Sequence, residues 1–427
     1  MSVILLVLSP VGPAGAGHDD DPSTKNLHSM GDIEEPASLL AGAGGGNIQT
    51  DIAFRGNYAF QGSWLGFNIR DVKAPGNPKQ VSFTSCTGNQ GDVVVWDDIL
   101  VRSWNSPAGM GATCDGEQAP EGFEGLHVFD ISDLDDPVLV AAVELKCGSH
   151  TATGVPDVEN DRLLVHSSSS GPCLGIDIVE VPLGGPAAAA LIRTEPADRD
   201  CHDTAVVLGD AMKAVCAGDD GYVAWTLTGS GSLVDPDFLY RRRSPAWGSD
   251  TPHRSPGTAS SSCSATSQAV VWRQTVRHPA PTPTSRRSSS TPRLAPSWAR
   301  GCYRAPSPTS RTARSTTSMW SPCRAANYRL VSGNYQSGTS VVDSTDPTNA
   351  VEIAFSDPPP ITPPGGPFCG GLGCEVGGAW SSYWYNNFIF ETNITEGLNV
   401  FRFSGNETAG ALELDHLNPQ TQEFTLP

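Results

Sequence analysis

Two histidines stand where they could do chemistry. His150 closes the string CGSH and His202 sits within DCHD, each shortly after a cysteine. Imidazole suits zinc, copper or iron. Asp203, beside His202, is placed to orient that ring by taking its other N–H. Asp51 and Asp92 precede apolar runs in a comparable way, DIAF and DVVVW. Other chemistry is harder to find: there is no GxSxG nucleophile elbow, HExxH pair, glycine-rich phosphate loop or EF-hand loop. Cys369 and Cys374 in CGGLGC have the wrong spacing for a zinc knuckle and read as a loop staple. Asp19, Asp20 and Asp21 read as part of a solvated tail, and Trp380, Tyr383 and Trp384 as core aromatics of a strand rather than a sugar platform.

The elements that would position these residues repeat. A glycine followed by a short alternating strand recurs as GFNIRDV from Gly66, GLHVFDI from Gly125, GIDIVEV from Gly175, GYVAWTL from Gly221, GTSVVDS from Gly338 and GLNVFRF from Gly397. The intervals are 59, 50, 46, 117 and 59 residues. Most of these glycines are preceded by two further strand-like runs, so each unit offers at least three strands in meander order. Units that cannot bury their own apolar faces must stack, and the period-2 alternation excludes helical solenoids. The expected fold is all-β, a β-propeller. Its inner strands would bring His150 and His202 to the axis. There they could bind a divalent or transition metal, or simply hydrogen-bond the neighbouring unit as Asp51 and Asp92 would; the second reading is preferred. Asp71, Asp130 and Asp343 fall at one equivalent position after the glycine strand, where an aspartate closes an Asx-turn; this is preferred to calcium binding.

With GLHVFDISDLDDP and GFNIRDVKAPGNP, the chain resembles the LVIVD-repeat proteins, secreted or surface-exposed and largely uncharacterised bacterial β-propellers. The resemblance covers roughly residues 47 to 403, outside one stretch, and implies fold rather than activity.

That stretch is 241–329. It holds fifteen arginines, no lysine and one acidic residue, Asp250, in a chain of net charge −19. The interval of 117 is close to twice 59 and puts an absent unit inside it. Its Arg, Ser, Pro, Thr and Ala are what GC-rich DNA yields out of frame. The codons of AWGSDTPHRSPGTASSSC, shifted by two bases, can also encode GVGIGHTASFTWDGKLVV, whose HTA matches His150-Thr151-Ala152. We therefore expect an ancestral ring of seven blades, with compensating frame errors near 240–246 and 324–329 and a disordered segment between them. On this reading 47–240 and 330–427 are propeller, and the blade after the gap lacks its inner strand.

Outside that segment the body is strongly acidic and would repel nucleic acid and anionic membrane. Residues 1–16 read as a signal peptide and 17–46 as a flexible lead-in; no later run is long enough to span a membrane. Of eleven cysteines, Cys263, Cys302 and Cys323 lie in the aberrant stretch. The other eight allow on the order of 100 connectivities. Pairing neighbours in sequence gives Cys86 with Cys114, Cys147 with Cys173, Cys201 with Cys216, and Cys369 with Cys374 as the working expectation. The chain is thus expected to be a secreted monomer that binds an extracellular ligand or protein, or else a metal-dependent oxidase, lyase or hydrolase with axial histidines.

Overall fold

The computed structural model describes residues 22–34, 48–243, 317–321, 329–357 and 378–422, apart from residues 89, 170–172, 210, 219–220, 336, 347–348, 395, 409–410 and 412. Among them the chain forms a β-propeller of six blades, each an antiparallel meander numbered here in chain order. From the inside outwards, blade 1 is Gln49–Arg55, Tyr58–Ser63, Gly66–Asp71 and Lys79–Ser85. Blade 2 is Gln90–Trp96, Ile99–Trp104, Gly125–Asp130 and Val138–Glu144. Blade 3 is Thr151–Asp157, Arg162–Ser168, Leu174–Pro182 and Ala190–Asp200, and blade 4 is Asp203–Val207, Lys213–Gly218, Gly221–Thr226 and Asp237–Arg243. Blade 5 is Thr317–Ser321, Arg329–Gly333, Thr339–Asp343 and Val351–Ser356. In blade 6, Ala379–Tyr385, Phe388–Asn393 and Gly397–Phe403 are joined by an outermost strand from the other end of the chain, Leu27–Glu34.

The apolar pattern follows from this stacking. A blade is covered on both faces, so its inner strands read as continuous apolar runs rather than strict alternation. In DVVVW, Val93 and Val95 pack towards blade 1 with Phe60, Phe67 and Trp104, while Val94 packs towards blade 3 with Leu163 and Val179. The repeated glycine has a steric cause. At Gly66 a Cβ would lie 1.9 Å from the Thr84 carbonyl oxygen, and at Gly125 2.1 Å from that of Val143, with φ of +152° and +148°. The outer strand crosses too closely for any side chain, so Gly66→Ala and Gly125→Ala would force the blade apart.

Five hydrophobic clusters seal five blade interfaces: 6 with 1, 1 with 2, 2 with 3, 3 with 4 and 5 with 6. Among the described residues no such cluster joins blade 4 to blade 5. In sequence, residues 244–316 fall between those two blades, and they lie outside the description.

Two boundaries are corrected. Residues 27–34, read as part of a flexible lead-in, pair antiparallel with Gly397–Phe403 along their length, with a bulge between Ser29 and Gly31. LHSMGDIE has a polar, irregular pattern because an outermost strand is half exposed. Both ends of the stretch 241–329, read as disordered, also form strand. Residues 241–243 finish the outer strand of blade 4, and Thr317–Ser321 pairs with Arg329–Gly333, so blade 5 has the inner strand it was expected to lack. Residues 1–16, Asp19, Asp20, Asp21, Cys263, Cys302, Cys323, Cys369 and Cys374 lie outside the described residues. No helix among the described residues is long and apolar enough to cross a membrane.

Candidate functional site at the axial ends of the inner strands

The first residues of the inner strands of blades 1 to 4 bring together most of the sequence candidates. His150 directly precedes Thr151–Asp157 and His202 directly precedes Asp203–Val207, and their rings meet edge to face with centroids 4.2 Å apart. Disulfides hold both approaches: Cys147–Cys173 lies just before His150, and Cys201–Cys216 ends on the residue before His202. A third disulfide, Cys86–Cys114, fastens the short hairpin of Thr113–Cys114 and Glu117–Gln118 to blade 1. His202 Nδ1 lies 3.1 Å from Asp203 Oδ2, and His150 Nδ1 lies 3.1 Å from the Asn105 side-chain amide on blade 2. Burial pulls the His150 imidazole down to about 3, helped by the neighbouring His202 and opposed by Asp203. It is therefore neutral at pH 7.

Beside them lie Asp51 and Asp92, both buried. Burial pushes Asp51 up to about 7, against hydrogen bonds from Tyr383, Ser381 and the Ile52 N–H. Asp92 is raised well above the carboxylate range by burial and then by the charges of Asp51 and Asp203. It also receives the backbone N–H of Asp51 and faces the Arg102 guanidinium. This contact crosses from blade 2 to blade 1. Equivalent crossings recur round the ring: Thr50 Oγ1 donates to the Gly91 carbonyl (2.9 Å), Thr151 Oγ1 to the His202 carbonyl (2.9 Å), and Asp51 reaches Ser381 of blade 6.

The chemical consequence is specific. His150 and His202 offer two imidazoles at one place, but among the described residues no carboxylate joins them as a third ligand within mutual reach. The one trio that does converge, Cys86, Cys114 and His127, has both sulfurs spent in the disulfide, so no thiolate is there to ligate.

The remaining candidates take local roles. Asp71, Asp130 and Asp343 each accept the backbone N–H two residues on, at 2.8, 2.9 and 3.0 Å, which closes the turn into the outer strand. Tyr383 and Trp384 are buried in the cores that flank blade 6, and Trp380 meets Tyr335 edge to face. Three buried groups escaped the sequence reading. His127 packs against Trp104 and Phe123, His166 is fully buried in blade 3, and Arg102 lies between blades 1 and 2. Burial lowers His127 to about 3, with Arg102 adding to it, and His166 to about 4. Their signal was a polar residue in mid-strand, as in GLHVFD, LLVHSS and ILVRSW.

The raised Asp51 carboxyl makes one pH prediction. Between its unfolded value near 3.8 and about 7 the folded chain keeps a proton that the unfolded chain has lost. Its contribution to stability is therefore full below that window and lost as pH rises through it. Asp51→Asn, which keeps the shape and takes no proton, is expected to gain on the wild type as pH goes from 5 to 8. Urea midpoints of both proteins at both pH values measure this; a difference that stays constant would refute it.

No protein-family model matches the chain, and neither does any curated protein. Solved structures similar to it include an exo-β-1,3-galactanase of Phanerochaete chrysosporium with β-1,3-galactotriose, at 8% identity and a TM-score of 0.37, covering 88% of this chain and 71% of that one. The N-terminal domain of Nup159 matches at 8% identity and a TM-score of 0.33, covering 83% and 76%. A periplasmic gluconolactonase of Pseudomonas aeruginosa matches at 10% identity and a TM-score of 0.38, covering 91% and 90%.

Proposed function

We propose that the protein is an extracellular, monomeric binding or scaffold propeller of the LVIVD-repeat type. The observation that carries this reading is where the axial polar groups are spent. Asp92 holds the backbone of Asp51, Asp51 takes bonds from blade 6, and Thr151 holds the backbone at His202. The residues best suited to chemistry thus tie one blade to the next. The LVIVD kinship rests on GLHVFDISDLDDP and its relatives, and the extracellular setting on the three disulfides, which persist in oxidising compartments.

A second reading, a metal-dependent oxidase, lyase or hydrolase, is favoured by one observation, the contact of the His150 and His202 rings. Elemental analysis of purified protein separates the two. The binding reading expects less than stoichiometric metal, unchanged in His150→Ala and His202→Ala. Stoichiometric metal that either substitution removes would establish the second reading instead.

A further inference from the structure

The segment Leu414–Gln422 leaves blade 6 and runs across the inner strands of blades 1 to 4. Leu414 N–H donates to Asn386 Oδ1 (2.7 Å) at the hairpin of blade 6. His416–Leu417 then adds antiparallel to Phe54 and Arg55 of blade 1, and the His416 ring meets Trp96 edge to face. Asn418 brackets Val95 of blade 2, accepting its N–H and donating to its carbonyl, both at 2.7 Å. Thr421 Oγ1 donates to the Gly154 carbonyl of blade 3 at 2.7 Å, and Thr421–Gln422 adds in parallel to Val206–Val207 of blade 4. Leu417, Asn418 and Thr421 are almost fully buried.

These contacts are those of a bound peptide. Extended segments bind sheet edges through main-chain hydrogen bonds, with side chains supplying selectivity. Here the backbone edges of two inner strands provide the ladder, and Val95 and Gly154 read an amide and a hydroxyl three residues apart. Each ladder has only two residues. Pro419 has no N–H to extend either one, and Gln420, at φ +59°, turns the chain between them. Short ladders of this kind open locally at low cost. The segment also reaches the carboxylate beside His202: Gln420 Nε2 lies 3.3 Å from Asp203 Oδ1, while Oδ2 of the same carboxylate faces His202.

We propose that residues 414–422 are a tethered occupant of a peptide-binding surface formed by the inner strands of blades 1 to 4. The partner is an extended peptide with an asparagine-like and a threonine-like side chain three residues apart, and it must displace the occupant to bind. This rests on the binding reading and names its ligand class.

The test uses full-length protein and a labelled peptide, ELDHLNPQTQ, followed by fluorescence anisotropy. A tethered competitor acts at an effective concentration near the millimolar range, so wild type should bind the free peptide at least about 10-fold more weakly than Asn418→Ala, whose own segment is loosened. A scrambled peptide should bind neither. Thr421→Val serves in the same way should Asn418→Ala fail to fold. Equal, weak binding by wild type and by a folded variant would overturn the proposal. Hydrogen exchange on the wild type gives an independent reading: the Val206 and Leu208 amides, which donate to Gln420 and Gln422, should exchange well ahead of the inner ladder of blade 2. Equal protection would mean a fixed structural strap and would also overturn it. Metal analysis decides the binding reading separately, so the two failures are distinguishable.

Discussion

Replacing Arg102 by alanine is expected to cost about 3–5 kcal/mol of folding stability, because the buried guanidinium donates to three backbone carbonyls that would be left without it. Arg102 has no solvent exposure. Its Nη2 donates to the Ser63 carbonyl (2.7 Å) and the Gly88 carbonyl (2.6 Å), both outside its own blade's strands, and its Nη1 donates to the Ser103 carbonyl (3.3 Å). Burial lowers the guanidinium to about 9, while the Asp92 carboxylate pulls the other way, so it stays charged at pH 7. Alanine would strand the carbonyls and remove the one cation that faces Asp92, whose pKa would then rise further. Arg102→Lys should recover only part of the loss, since a point charge cannot span two carbonyls as a planar fork does. Urea unfolding of the three proteins measures this. A loss below about 1 kcal/mol for the alanine variant would show that blades 1 and 2 are held by the apolar cluster alone.

The propeller was legible in the sequence because its two strictest steric demands fall on single residues. Nothing but glycine fits under the outer strand at positions such as Gly66 and Gly125, and a short acidic side chain serves best to close the turn at Asp71, Asp130 and Asp343. The glycine recurs in all six units and the aspartate in three of them, so together they appear as a period. The meeting of His150 with His202 was legible for the same reason, since equivalent positions of adjacent units are neighbours in space.

What stayed hidden depends on single, distant contacts. Arg102 stands out in ILVRSW as a charge in a buried strand, but its partners are carbonyls, which every residue carries. The segment 414–422 has no apolar period, and its Asn418 contacts lie 323 residues away in sequence. The strand Leu27–Glu34 is tied to blade 6 by main-chain bonds, which leave little trace in side-chain type. The three carboxylates Asp51, Asp92 and Asp203 were noticed one by one, whereas their mutual repulsion exists only because the ring brings them together.

The stretch 241–329 stands apart from the rest of the chain by composition alone, and most of it lies outside the described residues. Every other pair of adjacent blades shares a hydrophobic cluster; blades 4 and 5, on either side of residues 244–316, share none among the described residues. That is where the interval of 117 residues leaves room for one more unit. We propose that the ancestral ring had seven blades and that one sector of this chain is read out of frame.

Resequencing the source DNA across codons 235 to 335 tests this most directly. The account predicts one base missing or extra at each end of the stretch. The restored frame would then read as alternating strands with a repeat glycine, and with a further histidine, that of GVGIGHTASFTWDGKLVV, at the position equivalent to His150 and His202. An uninterrupted frame that encodes the sequence as it stands would contradict it, and the ring would then be six blades joined across an arginine-rich segment native to the protein.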